Sequence, residues 1–97
     1  MSSYELVFIA APELDEEGLI ALVQKFTALV QGLGGQVAQV ESRGKRQLAY
    51  PIRKHREGYY YIAQLQIGAE SLKELERSLK LNEQVIRYLI VVKESKE

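Results

Sequence analysis

Apolar and polar positions recur along this chain with two periods, and the change from one to the other marks out its elements. Tyr4 to Ala10 is a short apolar run of strand length, with Leu6 and Phe8 on one face, and Pro12 closes it. Leu19, Leu22, Val23, Phe26, Val30 and Leu33 then repeat at helical spacing. Asp15 is placed to cap this helix, and Glu16 and Glu17 fall in the first turn, where the helix dipole favours acids. Gly34-Gly35 supplies the stop, because glycine takes left-handed angles without steric cost. Nothing in the sequence accounts for Gly18 in the first turn, where glycine costs about 1 kcal/mol relative to alanine.

Val37 to Ile52 reads as a long second strand. Val37 and Val40 differ in parity, which leaves its register open, and Gly44 marks a bulge or bend. Farther on, Leu48, Tyr50 and Ile52 alternate with Gln47, Ala49 and Pro51, so a stripe including Tyr50 is expected to pack on the core. Pro51 removes a backbone donor and therefore requires a sheet edge. Arg53 to Gly58 is expected to turn the chain back as a loop.

A third strand, Tyr59 to Ile67, follows the loop. Its buried side carries Tyr59, Tyr61, Ala63, Leu65 and Ile67, and its open side Tyr60, Ile62, Gln64 and Gln66. Ser71-Leu72-Lys73-Glu74 has the form of a capping box for a second helix with Leu72, Leu75 and Leu79 on one face, and Asn82 ends it. Val85 to Val92 is a fourth strand, with Tyr88, Ile90 and Val92 on one face.

The order β-α-β-β-α-β predicts an α+β, ferredoxin-like fold: a four-stranded antiparallel sheet with two helices on one face. The second and fourth strands are edges in that topology, in agreement with Pro51. A length of 97 residues suits one domain over 1–97, with a polar tail from about 93 to 97.

Composition alters this picture little, but the placement of charge alters it substantially. With 46% hydrophobic and 27% charged residues the chain is ordinary for a globular protein, and without cysteine it has neither a disulfide framework nor a thiolate metal site. No apolar run is long enough for a membrane span and no signal peptide is visible, so a cytoplasmic protein is expected. The 13 basic and 13 acidic residues cancel overall, yet Arg43, Lys45, Arg46, Arg53, Lys54 and Arg56 fall in one stretch without an acid among them. Glu41 and Glu57 bracket the run. Clustered Lys and Arg neutralise phosphates and release counterions, and this release dominates nucleic-acid affinity. The plainer alternatives are a solvated loop, or charges that keep an edge strand from pairing with other chains.

Catalytic chemistry is poorly supplied. His55 stands between Lys54 and Arg56 with no neighbouring carboxylate to orient it as a base, and reads as a contact to phosphate or water. Glu13, Asp15, Glu16 and Glu17 are explained by the helix start, and Ala10-Ala11-Pro12 offers no anion-cradling side chain for a phosphatase. Glu57-Gly58-Tyr59-Tyr60-Tyr61-Ile62-Ala63-Gln64 matches the third-strand signature of an RNA-recognition motif only in part, so stacking of bases across the sheet is not expected. No catalytic residue, metal site or cofactor is assigned.

The stretch Gly44-Lys45-Arg46-Gln47-Leu48-Ala49-Tyr50-Pro51-Ile52-Arg53, then Gly58-Tyr59, resembles the signature of the bacterial small-subunit ribosomal protein six family. Tyr4-Glu5 with Pro12 at the start, and Val85-Ile86-Arg87 leading to Val91-Val92-Lys93 at the end, resemble that family too. The resemblance implies a non-enzymatic protein of the cytoplasmic ribosome. It would bind the central domain, or platform, of small-subunit rRNA together with small-subunit ribosomal protein eighteen, and be monomeric when free. RNA or partner contacts would come from Arg43, Lys45, Arg46, Arg53, Lys54, His55, Arg56, Tyr60 and Arg87. Ser2 and Ser3 stand where some members of the family carry basic residues, so no phosphate contact is assigned to the N-terminus. The alternative is a ligand-sensing or oligomerising regulatory domain of the same fold.

Overall fold

The computed structural model describes residues 2–52 and 54–93. The elements are β1 (Ser2–Ala10), α1 (Glu16–Gly32), β2 (Gln36–Ile52), β3 (His55–Ile67), α2 (Ala69–Leu81) and β4 (Val85–Lys93). The strands form one antiparallel sheet in the order β2-β3-β1-β4, the expected ferredoxin-like arrangement with β2 and β4 at the edges.

One face of the sheet meets both helices. Leu6, Phe8, Tyr61, Ala63 and Leu65 pack there against Leu22, Phe26 and Val30 of α1 and Leu75 and Leu79 of α2. Phe8 lies at the centre, its ring 5.2 Å from Tyr61 in a stacked pair and 5.6 Å from Phe26 in a tilted one. Such offset and tilted pairs suit the ring quadrupoles.

The ends of α1 follow from local chemistry. Asp15 is the N-cap and its Oδ1 accepts from the Gly18 amide at 2.8 Å. That closeness explains Gly18: a Cβ there would lie 3.1 Å from Asp15 Oδ1 and 3.2 Å from Leu14 Cδ2. At the other end the Gly35 amide donates to Val30 and the Gly34 amide to Gln31, a Schellman closure with Gly34 at φ +86°.

Helix α2 departs from expectation at its start. It begins at Ala69 with Gly68 as N-cap and no side-chain cap bond, so Ser71 lies inside the helix and the capping box does not form. Asn82 is the C-cap, and its Oδ1 accepts from the Gln84 amide at 2.8 Å.

The parity conflict in β2 is resolved by bulges. The register runs from Val37 opposite Leu65 to Gln39 opposite Gln64, so Ala38 is the extra residue and both Val37 and Val40 face the helices. A second shift between Ser42 and Gly44 leaves Arg43 outside the ladder register, with Gly44 at φ +79°. The stretch expected to be a loop is largely strand, since β3 starts at His55 and Ile52 pairs with His55. At the other end of the chain β4 continues through Lys93, which pairs with Ser3, so this residue belongs to the sheet and not to a polar tail.

The opposite face of the sheet is not bare. Ile9, Ala11 and Ile86 are buried there, with Leu14, Leu48, Ile52 and Tyr60 packed around them. A register shift between Ile9 and Ala10 sends Val85 to the helix side and leaves Ile86 to this second cluster. Gly58 is required beside it, because a Cβ would collide with Ile9 Cγ2 and lie 3.0 Å from the Ala10 carbonyl oxygen. Gly58→Ala is therefore expected to cost about 1–3 kcal/mol through overpacking. A urea midpoint equal to that of the unchanged chain would show that the contact is soft.

Candidate nucleic-acid interface

The basic run occupies the part of the β2–β3 hairpin nearest its turn, with Lys45 opposite Tyr59 and Arg46 opposite Gly58. Register divides it between two faces. Lys45 pairs with Tyr59 and shares the helix-side face with Glu57, whereas Arg46 pairs with Gly58 on the face of Tyr60 and Arg56. Arg87 of β4 stands opposite Ile9, whose β3 partner is Tyr60, so it belongs to the open face as well. Arg46, Arg56 and Arg87, all exposed, thus share one face. Lys54 forms the turn at φ +70° and is exposed. Arg53 lies outside the described residues.

Several of these cations already have partners within the chain. Arg43 Nε lies 3.2 Å from Glu41 Oε2, and Lys45 Nζ lies 3.5 Å from Glu57 Oε2 and 5.6 Å from the centre of the Tyr59 ring. Arg46 Nε donates to the Arg43 carbonyl at 3.1 Å. The two ion pairs are between groups that are 43–48% exposed. Pairs in such settings contribute about 0–1 kcal/mol, so exchanging a carboxylate for a phosphate costs little.

His55 also differs from the sequence reading. Its Nδ1 is 3.9 Å from Glu13 Oε1, so a carboxylate does stand near it, though beyond hydrogen-bond distance. That neighbour is remote in sequence, in the loop before α1.

Tyr60 and Tyr50 exchange their expected settings. Tyr60, read as exposed, is half-buried against the Ile9 cluster. Tyr50, read as packed, is 57% exposed, and its hydroxyl accepts from Arg87 Nη1 at 2.7 Å. The cause is the path of β2. Between Gln47, opposite Glu57, and Ile52, opposite His55, the residues Leu48, Ala49, Tyr50 and Pro51 stand against Arg56 alone. This surplus of chain lies over the open face, where it borders a cleft of about 220 Å³ with Val7, Ile9, Tyr60, Arg87 and Leu89. A larger groove of about 830 Å³ lies on the helix side of the sheet, lined by Leu22, Phe26, Leu29, Leu79 and Leu81.

The other end of the open face carries a polar network whose pairing the sequence alone did not show. Gln64 Nε2 donates to Glu5 Oε1 at 2.9 Å, and Lys93 Nζ does so at 3.3 Å. The pairing of Glu5 with Gln64 across β1 and β3 creates this contact, which only a known register could have shown. The open face therefore runs from this polar network at one end to the Leu48–Pro51 segment, Arg46, Arg56 and Arg87 at the other.

The sequence profile of the family described as Ribosomal protein S6 matches residues 3–92. The small ribosomal subunit protein bS6 of Moorella thermoacetica is 47% identical over 90 residues, covering 93% of this chain and 92% of that protein. The bS6 protein of Clostridium botulinum is 44% identical over 94 residues, covering 97% of this chain and all of its own. The crystal structure of 30S ribosomal protein S6 from Thermotoga maritima superposes with a TM-score of 0.88 at 30% identity, over 95% of this chain and 87% of that one. An Arabidopsis thaliana protein of 13% identity and TM-score 0.60 shares the fold alone. Fold and hairpin describe a small ferredoxin-like protein with a basic edge. The chain belongs to the ribosomal protein S6 family. That family is ribosomal and not enzymatic.

The Glu5 network has a pH signature. The hydrogen bond from Gln64, then that from Lys93, holds the Glu5 carboxyl below the usual carboxylate range. A depressed folded value means that the stabilisation is present above the unfolded value and is lost as pH falls through the folded one. Glu5→Gln is expected to be less stable than the unchanged chain at neutral pH, with the gap closing in acid. Urea midpoints across the acid range check this, and a pH-independent gap would contradict it.

Proposed function

We propose that this chain is a structural constituent of the small ribosomal subunit that binds the platform, or central domain, of small-subunit rRNA together with small-subunit ribosomal protein eighteen. Its place is then the cytoplasmic ribosome. The observation that carries this reading is the gathering of Arg46, Arg56 and Arg87 on one face at the end of the hairpin, with Lys54 at the turn between β2 and β3. The family to which the chain belongs supports it.

Arginine presents five donors in a planar fork that matches phosphate oxygens, so these side chains hold the RNA backbone and fix orientation. Arg53 joins them by its place in the sequence. Lys45 and Arg43 are released from Glu57 and Glu41 as phosphates take over. His55 adds a contact at the hairpin tip, and half-buried Tyr60 supports the surface from beneath. RNA is read here by shape and backbone, not by base edges.

The balance of charge explains the need for a partner. The residues outside the run include seven cations and all 13 acids, so most of the molecule repels RNA. A basic partner bound beside the hairpin supplies the missing field and makes binding cooperative.

Arg46→Ala combined with Arg56→Ala is expected to weaken binding to a platform rRNA fragment with its partner. The dependence of log affinity on log salt should flatten by about 0.7–0.9 for each phosphate that is no longer neutralised. Unchanged affinity and slope would remove these residues from the interface. Sedimentation of the free protein is expected to give a monomer, and a stable dimer without RNA would favour an oligomerising role instead.

A further inference from the structure

The strap formed by Leu48 to Pro51 has too few ladder partners to be held by the sheet alone. Four residues stand opposite Arg56, and Pro51 has no amide hydrogen to offer. Two kinds of contact keep it over the open face. Leu48 and Ile52 pack against Ile9, Ile86 and Tyr60. Tyr50 reaches Arg87, from one edge strand to the other, with β3 and β1 between them.

Burial does not account for the position of Tyr50, since the residue is 57% exposed. Its hydroxyl does account for it, because a hydrogen bond from a guanidinium at 2.7 Å is charge-assisted and among the stronger kinds. The bond uses one of the five guanidinium donors and leaves the others for a ligand.

We propose that Tyr50 is a positioning residue for RNA binding: its hydroxyl latches the strap to Arg87, which joins the two sheet edges into one rigid cationic face. This rests on the function proposed above and names a residue of that site that makes no phosphate contact through charge. Without the latch, Arg87 is a free rotor on β4 and the strap moves independently of Arg46 and Arg56. Ordering these groups on binding then costs affinity, which preorganisation avoids.

The test uses Tyr50→Phe in the full chain, which keeps the ring and removes the hydroxyl. In the free protein, amide exchange at Leu48, Ala49 and position 50 should quicken by roughly fivefold, and the Arg87 guanidinium NMR signals should shift and broaden. The melting temperature should fall by only a few degrees, as one exposed hydrogen bond is lost and both apolar clusters are kept. Affinity for the platform rRNA fragment with partner should fall by roughly three- to tenfold while the salt slope holds, because no charge has been removed. Arg87→Gln, in contrast, should lower both.

Unchanged exchange and unchanged Arg87 signals would overturn the latch. A quickened strap with undiminished affinity, in an assay where the original chain binds, would overturn the positioning role. If the original chain does not bind that RNA, the functional reading fails and the positioning role falls with it, while exchange in the free protein still decides whether the latch exists.

Discussion

Two helices cover only one face of the sheet, and the apolar side chains left on the other face must find cover elsewhere. Phe8, Leu6, Leu65 and Ala63 are satisfied by α1 and α2. Ile9 and Ile86 point away from the helices yet are 6% and 4% exposed. Their cover comes from the hairpin itself, through Leu48, Ile52 and Tyr60. Burial of these groups, at about 25 cal/mol per Å² of apolar surface, is what draws β2 out of its ladder and over the sheet. Because the strap turns inward, the hairpin end becomes a packed element and not a loose arm, and its cations acquire fixed positions.

The electrostatics follow from that geometry. Arg46, Arg56 and Arg87 gather positive charge at one end of the open face, and the Glu5–Gln64–Lys93 network at the other balances its own charge. The ion pairs of Arg43 and Lys45 are solvent-exposed and weak, so they keep those side chains extended in the free protein without competing strongly with a polyanion. The surface is suited to association and offers little for covalent chemistry. His55 comes near Glu13 only at 3.9 Å, beyond the reach of a hydrogen bond that could orient it as a base.

The apolar surface that remains is unevenly spread. Leu89, Val91 and Val92 of edge strand β4 are 59%, 42% and 62% exposed. Arg87 and Lys93 stand at either end of this apolar stretch, which limits pairing with other strands. Leu89 also borders the cleft beneath Tyr50, so apolar and cationic surface meet at the same corner of the sheet.

Local patterning was enough for the elements, their order and the main core. The spacing of Leu22, Phe26 and Val30, the cap at Asp15, the closure at Gly34 and the alternation through Tyr61, Ala63 and Leu65 are short-range signals that act on the backbone where they stand. The ten residues from Gly44, with matching ends of the chain, were enough for the family. The candidate cations were legible as a cluster in sequence, but their division between two faces was not, because bulges at Ala38 and Arg43 reset the parity of β2. Nor could the sequence reveal the start of α2 at Ala69, which a capping-box pattern beginning at Ser71 obscured. The meeting of Tyr50 with Arg87, of Glu5 with Lys93 and of His55 with Glu13 was decided by tertiary structure alone. Each joins residues far apart in the chain, and side-chain periodicity within one strand carries no information about what lies across a sheet or above it.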